Sequence, residues 1–114
     1  MKFLSRRSIP FPGMIRLLLT ALLVGTLSAC VGRPPEEATG EEIYLQLCAN
    51  CHGDSLQGAV GPALGPGSDS AQQPDEFLTV AISQGRGRMP SFQSSLSDEQ
   101  VVRLVGFIRQ EQGG

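Results

Sequence analysis

Cys48-Ala49-Asn50-Cys51-His52 is the stretch from which the rest of the chain is read. Two thiols at this spacing can reach the two vinyl edges of one haem and form thioether bonds with it. The histidine directly after them then lies beneath the iron. Spacing, order and the added histidine must all agree, so the pattern is specific. Two other chemistries share part of it. A thioredoxin-type thiol pair belongs in a βαβ context, and no strand pattern precedes Cys48. A structural zinc site needs two further ligands. His52 is the single histidine, and Cys30 stands far upstream.

Upstream, Thr39-Gly40-Glu41-Glu42 has the form of a capping box, with Thr39 as N-cap and Glu42 at N3. It predicts a helix from about Gly40 to Ala49. Ile43 and Leu47 are four apart, as are Tyr44 and Cys48, which gives an inward apolar stripe. The helix delivers Cys48 at its end, and the chain then turns through Asn50 to Cys51 and His52.

Gly40-x-x-x-Tyr44-x-x-x-Cys48-Ala49-Asn50-Cys51-His52-Gly53 resembles the start of a class I cytochrome c. The resemblance extends over about Thr39 to Gln110. It implies a small all-α fold of three to four helices around one covalently bound haem c. In that fold the helix bearing the glycine and the aromatic crosses the C-terminal helix closely. Cys48 and Cys51 would then hold the haem, and His52 would bind its iron. Gly61-Pro62-Ala63-Leu64 is similar to the family's Gly-Pro-x-Leu beside the proximal ligand. By that similarity the Pro62 carbonyl accepts the proton of His52 Nδ1, and Leu64 packs on the haem face. Physical chemistry points the same way. A metal-bound histidine needs its second nitrogen pinned, and a backbone carbonyl does this. Proline fixes φ and so aims that carbonyl.

Gly65 to Gln73 reads as loop by composition. Pro74 suits the first turn of a helix, with Asp75 and Glu76 at the positive end of its dipole. That helix should run to about Ser83, with Phe77, Leu78, Ala81 and Ile82 as its apolar face and Gly85 as its stop. Gly85-Arg86-Gly87-Arg88-Met89-Pro90 follows. Met1 and Met14 belong to the leader, so Met89 alone can offer a thioether to the iron. The resemblance also places a Met-Pro in a glycine-flanked loop here. Thioether ligation favours reduced iron and raises the potential. Arg86 and Arg88 flank this loop, either as solvated charges or as partners for haem propionates or an acidic protein.

Ser97-Asp98-Glu99-Gln100 is a second capping box. The helix it starts should run from Asp98 to about Gln110, with Val101, Leu104, Val105 and Ile108 on its inner stripe. It should cross the first helix near Gly40 and Tyr44. No glycine directly follows Gln110, and Gln112-Gly113-Gly114 reads as a fraying end.

The 114 residues allow one small domain. The formal charge of −2 hides a split. Lys2, Arg6, Arg7 and Arg16 precede Cys30 without one acid, whereas five arginines against all eleven acids leave the body at −6. Aromatic residues make up 5% and tryptophan is absent, so a haem would supply apolar mass that a thin core lacks.

The basic residues and the apolar run Leu17 to Leu27 read as a signal peptide over residues 1–29, the run being short for a membrane span. Leu27-Ser28-Ala29-Cys30 resembles the lipobox of bacterial lipoproteins. It implies cleavage before Cys30 and a diacylglyceryl thioether on its sulfur. An uncleaved signal anchor, or ordinary cleavage near Ala29, are the other readings. Ser5-Arg6-Arg7 hints at a twin-arginine signal, but Ser8-Ile9-Pro10 fits it poorly. Val31 to Ala38, with two prolines and two acids, reads as an extended tether without structure of its own. The cytochrome domain would then occupy residues 39–112.

The functional expectation is an electron carrier, not an enzyme: one haem c with His52 and Met89 as axial ligands, lipid-anchored at Cys30 and exported to face the periplasm or cell exterior. A filled coordination sphere leaves no place for a small-molecule substrate at the iron. Its partners would be redox proteins and a membrane, not nucleic acid. A sensor or peroxidase-like enzyme with an open sixth position, and a subunit of a larger oxidase or dehydrogenase, are the alternatives. With its one histidine at the haem, no Ser-His-Asp arrangement is possible, and no phosphate-binding glycine pattern follows a strand.

Overall fold

The computed structural model describes residues 32–114. The signal peptide, Cys30 and Val31 lie outside the described residues. Arg33 to Gly114 forms one compact unit. Its helices are α1 (Gly40–Leu47), α2 (Ala49–His52), α3 (Asp75–Gln84) and α4 (Asp98–Glu111), with a single 3-10 turn at Asp69–Gln72. Among the described residues there is no strand, and no helix is long and apolar enough to cross a membrane.

Both capping boxes form. Thr39 accepts from the Glu42 amide while Glu42 accepts from the Thr39 amide, and Ser97 and Gln100 do the same at α4. These pairs satisfy amides that have no partner inside the helix. The first helix breaks two residues earlier than its pattern suggests. Cys48, at φ −112°, ends α1 and starts α2. Pro74 stands just outside α3 as its N-cap, and the stretch read as plain loop holds the 3-10 turn, with Ser70 buried. Leu78 and Ile82 are the buried face of α3, while Phe77 and Ala81 are half-buried.

α1 and α4 cross as the resemblance implies. A Cβ on Gly40 would collide with the Arg103 carbonyl oxygen and stand 2.7 Å from Phe107 Cβ. Only hydrogen at that Cα lets the two backbones meet. Tyr44 and Phe107 pack beside the crossing, with ring centroids 5.5 Å apart and a 48° tilt. Ile43, Tyr44, Leu56 and Leu104 are the largest fully buried side chains. Val101, Val105 and Ile108 complete the inner stripe of α4.

Two ends of the chain depart from the sequence reading. Pro34 to Ala38, read as tether, is strapped to α4. The Gln100 amide donates to the carbonyls of Pro34 (3.3 Å) and Pro35 (2.9 Å), and Arg103 donates to those of Glu36 and Ala38. Arg33 reaches the Ser94 carbonyl. Within the segment the Ala38 amide turns back to Pro35 O at 2.9 Å, and side chains from the distant α4 bond the carbonyls of Pro34, Pro35, Glu36 and Ala38. The C-terminus does not simply fray. Gly113 adopts φ +85°, its amide bonds Gln110 O, and the Gly114 amide bonds Arg109 O. This is a Schellman cap, one turn-residue later than the periodic stripe suggests.

Candidate haem site

α2 is a single helical turn made of the last four residues of the motif, with Cys48 as its N-cap. On a helix, residues three and four apart share one side, so Cys48, Cys51 and His52 converge there. His52 N–H bonds Cys48 O at 2.9 Å, and Gly53, at φ +84°, ends the turn. Both cysteines are free thiols, Cys48 buried and Cys51 exposed. Burial, with a smaller contribution from Cys51, pushes the Cys48 thiol up to about 12. A thioredoxin-type dithiol belongs in a βαβ context, and no strand is present among the described residues. The zinc reading fails as well. Among the described residues no three His, Cys, Asp or Glu side chains gather to hold a metal ion.

His52 is buried, and its Nδ1 donates to the Pro62 carbonyl at 2.7 Å. That bond fixes the tautomer and leaves the Nε2 lone pair for a metal. The loop that carries Pro62 is folded against the motif by its own backbone. Gly61 N–H bonds Cys51 O and Gly58 N–H bonds His52 O, both at 2.7 Å. A Cβ on Gly61 would stand 3.0 Å from His52 Cε1, so the ring occupies space that another residue type would fill. Leu64 and Gly65 amides both bond Leu56 O, which holds the half-buried Leu64 at the core edge.

Met89 sits in a tight turn. Its amide and carbonyl pair with the carbonyl and amide of Arg86 at 2.9 and 3.1 Å, an isolated antiparallel bridge. A Cβ on Gly85, at φ +78°, would stand 2.7 Å from Met89 O, so glycine is required there. Met89 is half-buried and packs on the core. Beyond Pro90, Phe92 N–H bonds Ile82 O at 3.0 Å and Ser91 Oγ donates to Ser83 O, fastening the loop to the end of α3. Ser91 and Phe92 were not singled out by sequence, because no spacing rule pairs them with α3. Nor does any spacing rule reveal the bond from the Tyr44 hydroxyl to Gly53 O at 2.6 Å or that from the Gln112 amide to Leu64 O at 2.8 Å. Sequence reading treats Tyr44 as core and Gln112 as tail. Arg86 is also more than a solvated charge, since its guanidinium lies over the Phe77 ring, 5.0 Å from the centroid.

These residues fit a haem. Two free thiols and a pinned imidazole share one turn, and half-buried Leu47, Leu64, Met89 and Phe92 offer apolar surface that the core leaves partly uncovered. Residues 35–108 match the family described as cytochrome C oxidase, cbb3-type, subunit III. The chain belongs to the cytochrome c family. It is 42% identical over 73 residues to the menaquinol:cytochrome c reductase cytochrome c subunit of Bacillus subtilis, covering 62% of this chain and 27% of that protein. It is 30% identical over 92 residues to cytochrome c55X of Stutzerimonas stutzeri, covering 78% of this chain and 80% of that one. Among solved structures it is similar to the c-type cytochrome NirC, with a TM-score of 0.56 and 33% identity over 62% of this chain and 85% of that chain. The chain therefore spans about a quarter of the Bacillus relative and most of the other two. The fold is that of a small single-haem c-type cytochrome. The family implies haem c with iron as cofactor, and Cys48, Cys51 and His52 fit its C-x-x-C-H attachment motif.

Proposed function

We propose that this cytochrome carries single electrons between redox proteins at the outer face of a bacterial membrane, with His52 and Met89 as axial ligands and a lipid anchor at Cys30. The observation that carries this reading is the 2.7 Å bond from His52 Nδ1 to Pro62 O, which presents the other nitrogen for ligation. When bound, the haem accepts and releases one electron at its iron. The protein's part is to hold the ligands still. Pro62 fixes the imidazole, and the Arg86–Met89 turn with Ser91 on Ser83 holds the thioether loop. With His52 and Met89 both holding the iron, no place for a substrate would remain on the metal, and the reaction would be outer-sphere electron transfer without a catalytic residue. Signal peptide, lipid and export rest on the basic leader and the Leu27-Ser28-Ala29-Cys30 resemblance.

The ferric holoprotein should show a sulfur-to-iron charge-transfer band that Met89→Ala abolishes. A high-spin native iron would instead favour a sensor or peroxidase-like protein with an open sixth position. The intact mass of the mature protein reports one haem and the acyl chains together, and Cys30→Ser should remove the lipid mass and leave the haem.

A second reading is favoured by the Bacillus relative, whose name makes it a subunit of a reductase. This chain would then serve as a fixed subunit of a larger complex. Extraction in mild detergent separates the two: a monomer supports the free carrier, co-purifying subunits the fixed one.

A further inference from the structure

Five arginines lie among residues 32–114, and three are committed within the chain. Arg109 pairs with Asp75, Arg103 donates to the Ala38 and Glu36 carbonyls, and Arg33 donates to that of Ser94. Arg86 and Arg88 are exposed and pair with no carboxylate among the described residues. They flank Gly87 on the turn that carries Met89. A guanidinium resting on a ring, as Arg86 rests on Phe77, keeps its N–H edge available for a carboxylate. Beside the turn runs an open groove of about 330 Å³, lined by Phe77, Val80, Ala81 and Arg86, with Glu76 on its wall. Val80 stands 43% exposed there.

We infer that this groove and the Arg86–Arg88 turn form one docking surface for an acidic protein segment, which lays an apolar side chain on Phe77 and Val80 and flanking carboxylates on Arg86 and Arg88. Glu76 repels a carboxylate from the groove itself, so an apolar group takes the floor and the charges take the turn. Charge also separates a protein from an anionic membrane as the occupant. Eleven acids against five arginines give the body −6. A flat anionic surface meets that whole field within a Debye length of about 8–10 Å, whereas a protein can present carboxylates at the basic spot alone. That the occupant is a redox protein rests on the electron-carrier reading; the binding surface is tested without it.

The probe is a capped pentapeptide with a central leucine between two pairs of glutamates, titrated into the isotopically labelled, reduced holoprotein and followed by amide shifts. Shifts should be confined to Phe77–Ala81 and Gly85–Met89 and weaken as salt is raised. Arg86→Gln with Arg88→Gln should weaken binding at least tenfold. A control with the same charge change on exposed positions, Gln46→Glu with Gln110→Glu, should stay within about twofold, as expected for charges screened over a Debye length. Val80→Ser should weaken binding while keeping its salt dependence. Shifts elsewhere, no binding, or an equal loss in the control would overturn the proposal. So would binding to phosphatidylglycerol vesicles that the arginine variant loses, which assigns the turn to a lipid surface.

Discussion

The hydroxyl of Tyr44 donates to the carbonyl of Gly53 at 2.6 Å, so the helix before the attachment motif is tied to the residue just after it. Tyr44 is fully buried and packs on Phe107. One ring thus links α1, α4 and the haem-attachment turn. Tyr44→Phe keeps the packing and leaves the buried Gly53 carbonyl with the Leu56 amide, at 3.1 Å, as its remaining donor. Losing one bond to a carbonyl that keeps another costs about 0.5–1.5 kcal/mol, to be read as a lower urea midpoint of the holoprotein with an unchanged slope.

The same residue gives a pH dependence. Burial pushes the Tyr44 hydroxyl from 10.0 up to about 12. Between those values the unfolded chain has lost a proton that the folded one keeps, so stability present below pH 10 falls as pH rises toward 12. Thioether attachment at Cys48 would remove that residue's smaller part in raising the Tyr44 hydroxyl and leave the larger one, from burial. Urea midpoints should fall over this range in the native protein, and the difference from Tyr44→Phe should shrink as the pH rises.

Two glycines on the crossing helices should respond with opposite sign. Gly40→Ala drives a methyl into the Arg103 carbonyl, and neither backbone can yield without separating α1 from α4. Overpacking of this kind costs about 1–3 kcal/mol or more. Gly106→Ala meets nothing within 4 Å on the exposed face of α4 and should stabilise by about 0.5–1 kcal/mol through helix propensity. Thermal unfolding of the two holoprotein variants checks both signs.

Arg109 separates an ion pair from a carbonyl clamp. Its pair with Asp75 is 2.7 Å long, but the Asp75 side chain is 74% exposed. Exposed pairs contribute about 0.2–1 kcal/mol. The same guanidinium also donates to the Ser70 and Gln73 carbonyls, which anchor the 3-10 turn to the end of α4. Asp75→Asn should therefore cost under about 1 kcal/mol. Arg109→Ala should cost about 1.5–3 kcal/mol, and Arg109→Lys should not restore it, because an ammonium lacks the planar fork. Denaturant unfolding ranks the three.

Gly61 controls the imidazole. Gly61→Ala places a methyl 3.0 Å from His52 Cε1 and 3.1 Å from Nδ1, pressing the ring off the Pro62 carbonyl. A weaker bond at Nδ1 makes the other nitrogen less basic, and a less basic ligand favours reduced iron. Under the proposed ligation the reduction potential should rise. A spectroelectrochemical titration that finds it unchanged or lower would count against that ligand role.

How much of this was legible depends on how local each feature is. Thr39 with Glu42 and Ser97 with Gln100 act across one helical turn, and both boxes form as their spacing predicts. The Gly40 crossing was reached by resemblance and is borne out by the collision a Cβ would make. The strap from Pro34 to Ala38 was read as tether because its partners, Gln100 and Arg103, lie more than sixty residues away. Gly113 was read as part of a fraying end because the apolar stripe gives no sign of the extra residues that bring it to the cap.

By itself, the order of residues determined the chemistry: two thiols and an imidazole on one turn, a lone body methionine in a glycine-flanked loop, and helices whose apolar stripes must meet. These follow from spacing along a backbone with few allowed conformations. Only the tertiary structure decided what holds that chemistry in place. Tyr44 on Gly53, Gln112 on Leu64, Ser91 on Ser83 and Arg86 over Phe77 join segments between eight and forty-eight residues apart. Such pairings depend on the whole chain closing on itself, because a carbonyl left bare by a loop takes whichever donor the fold brings within reach.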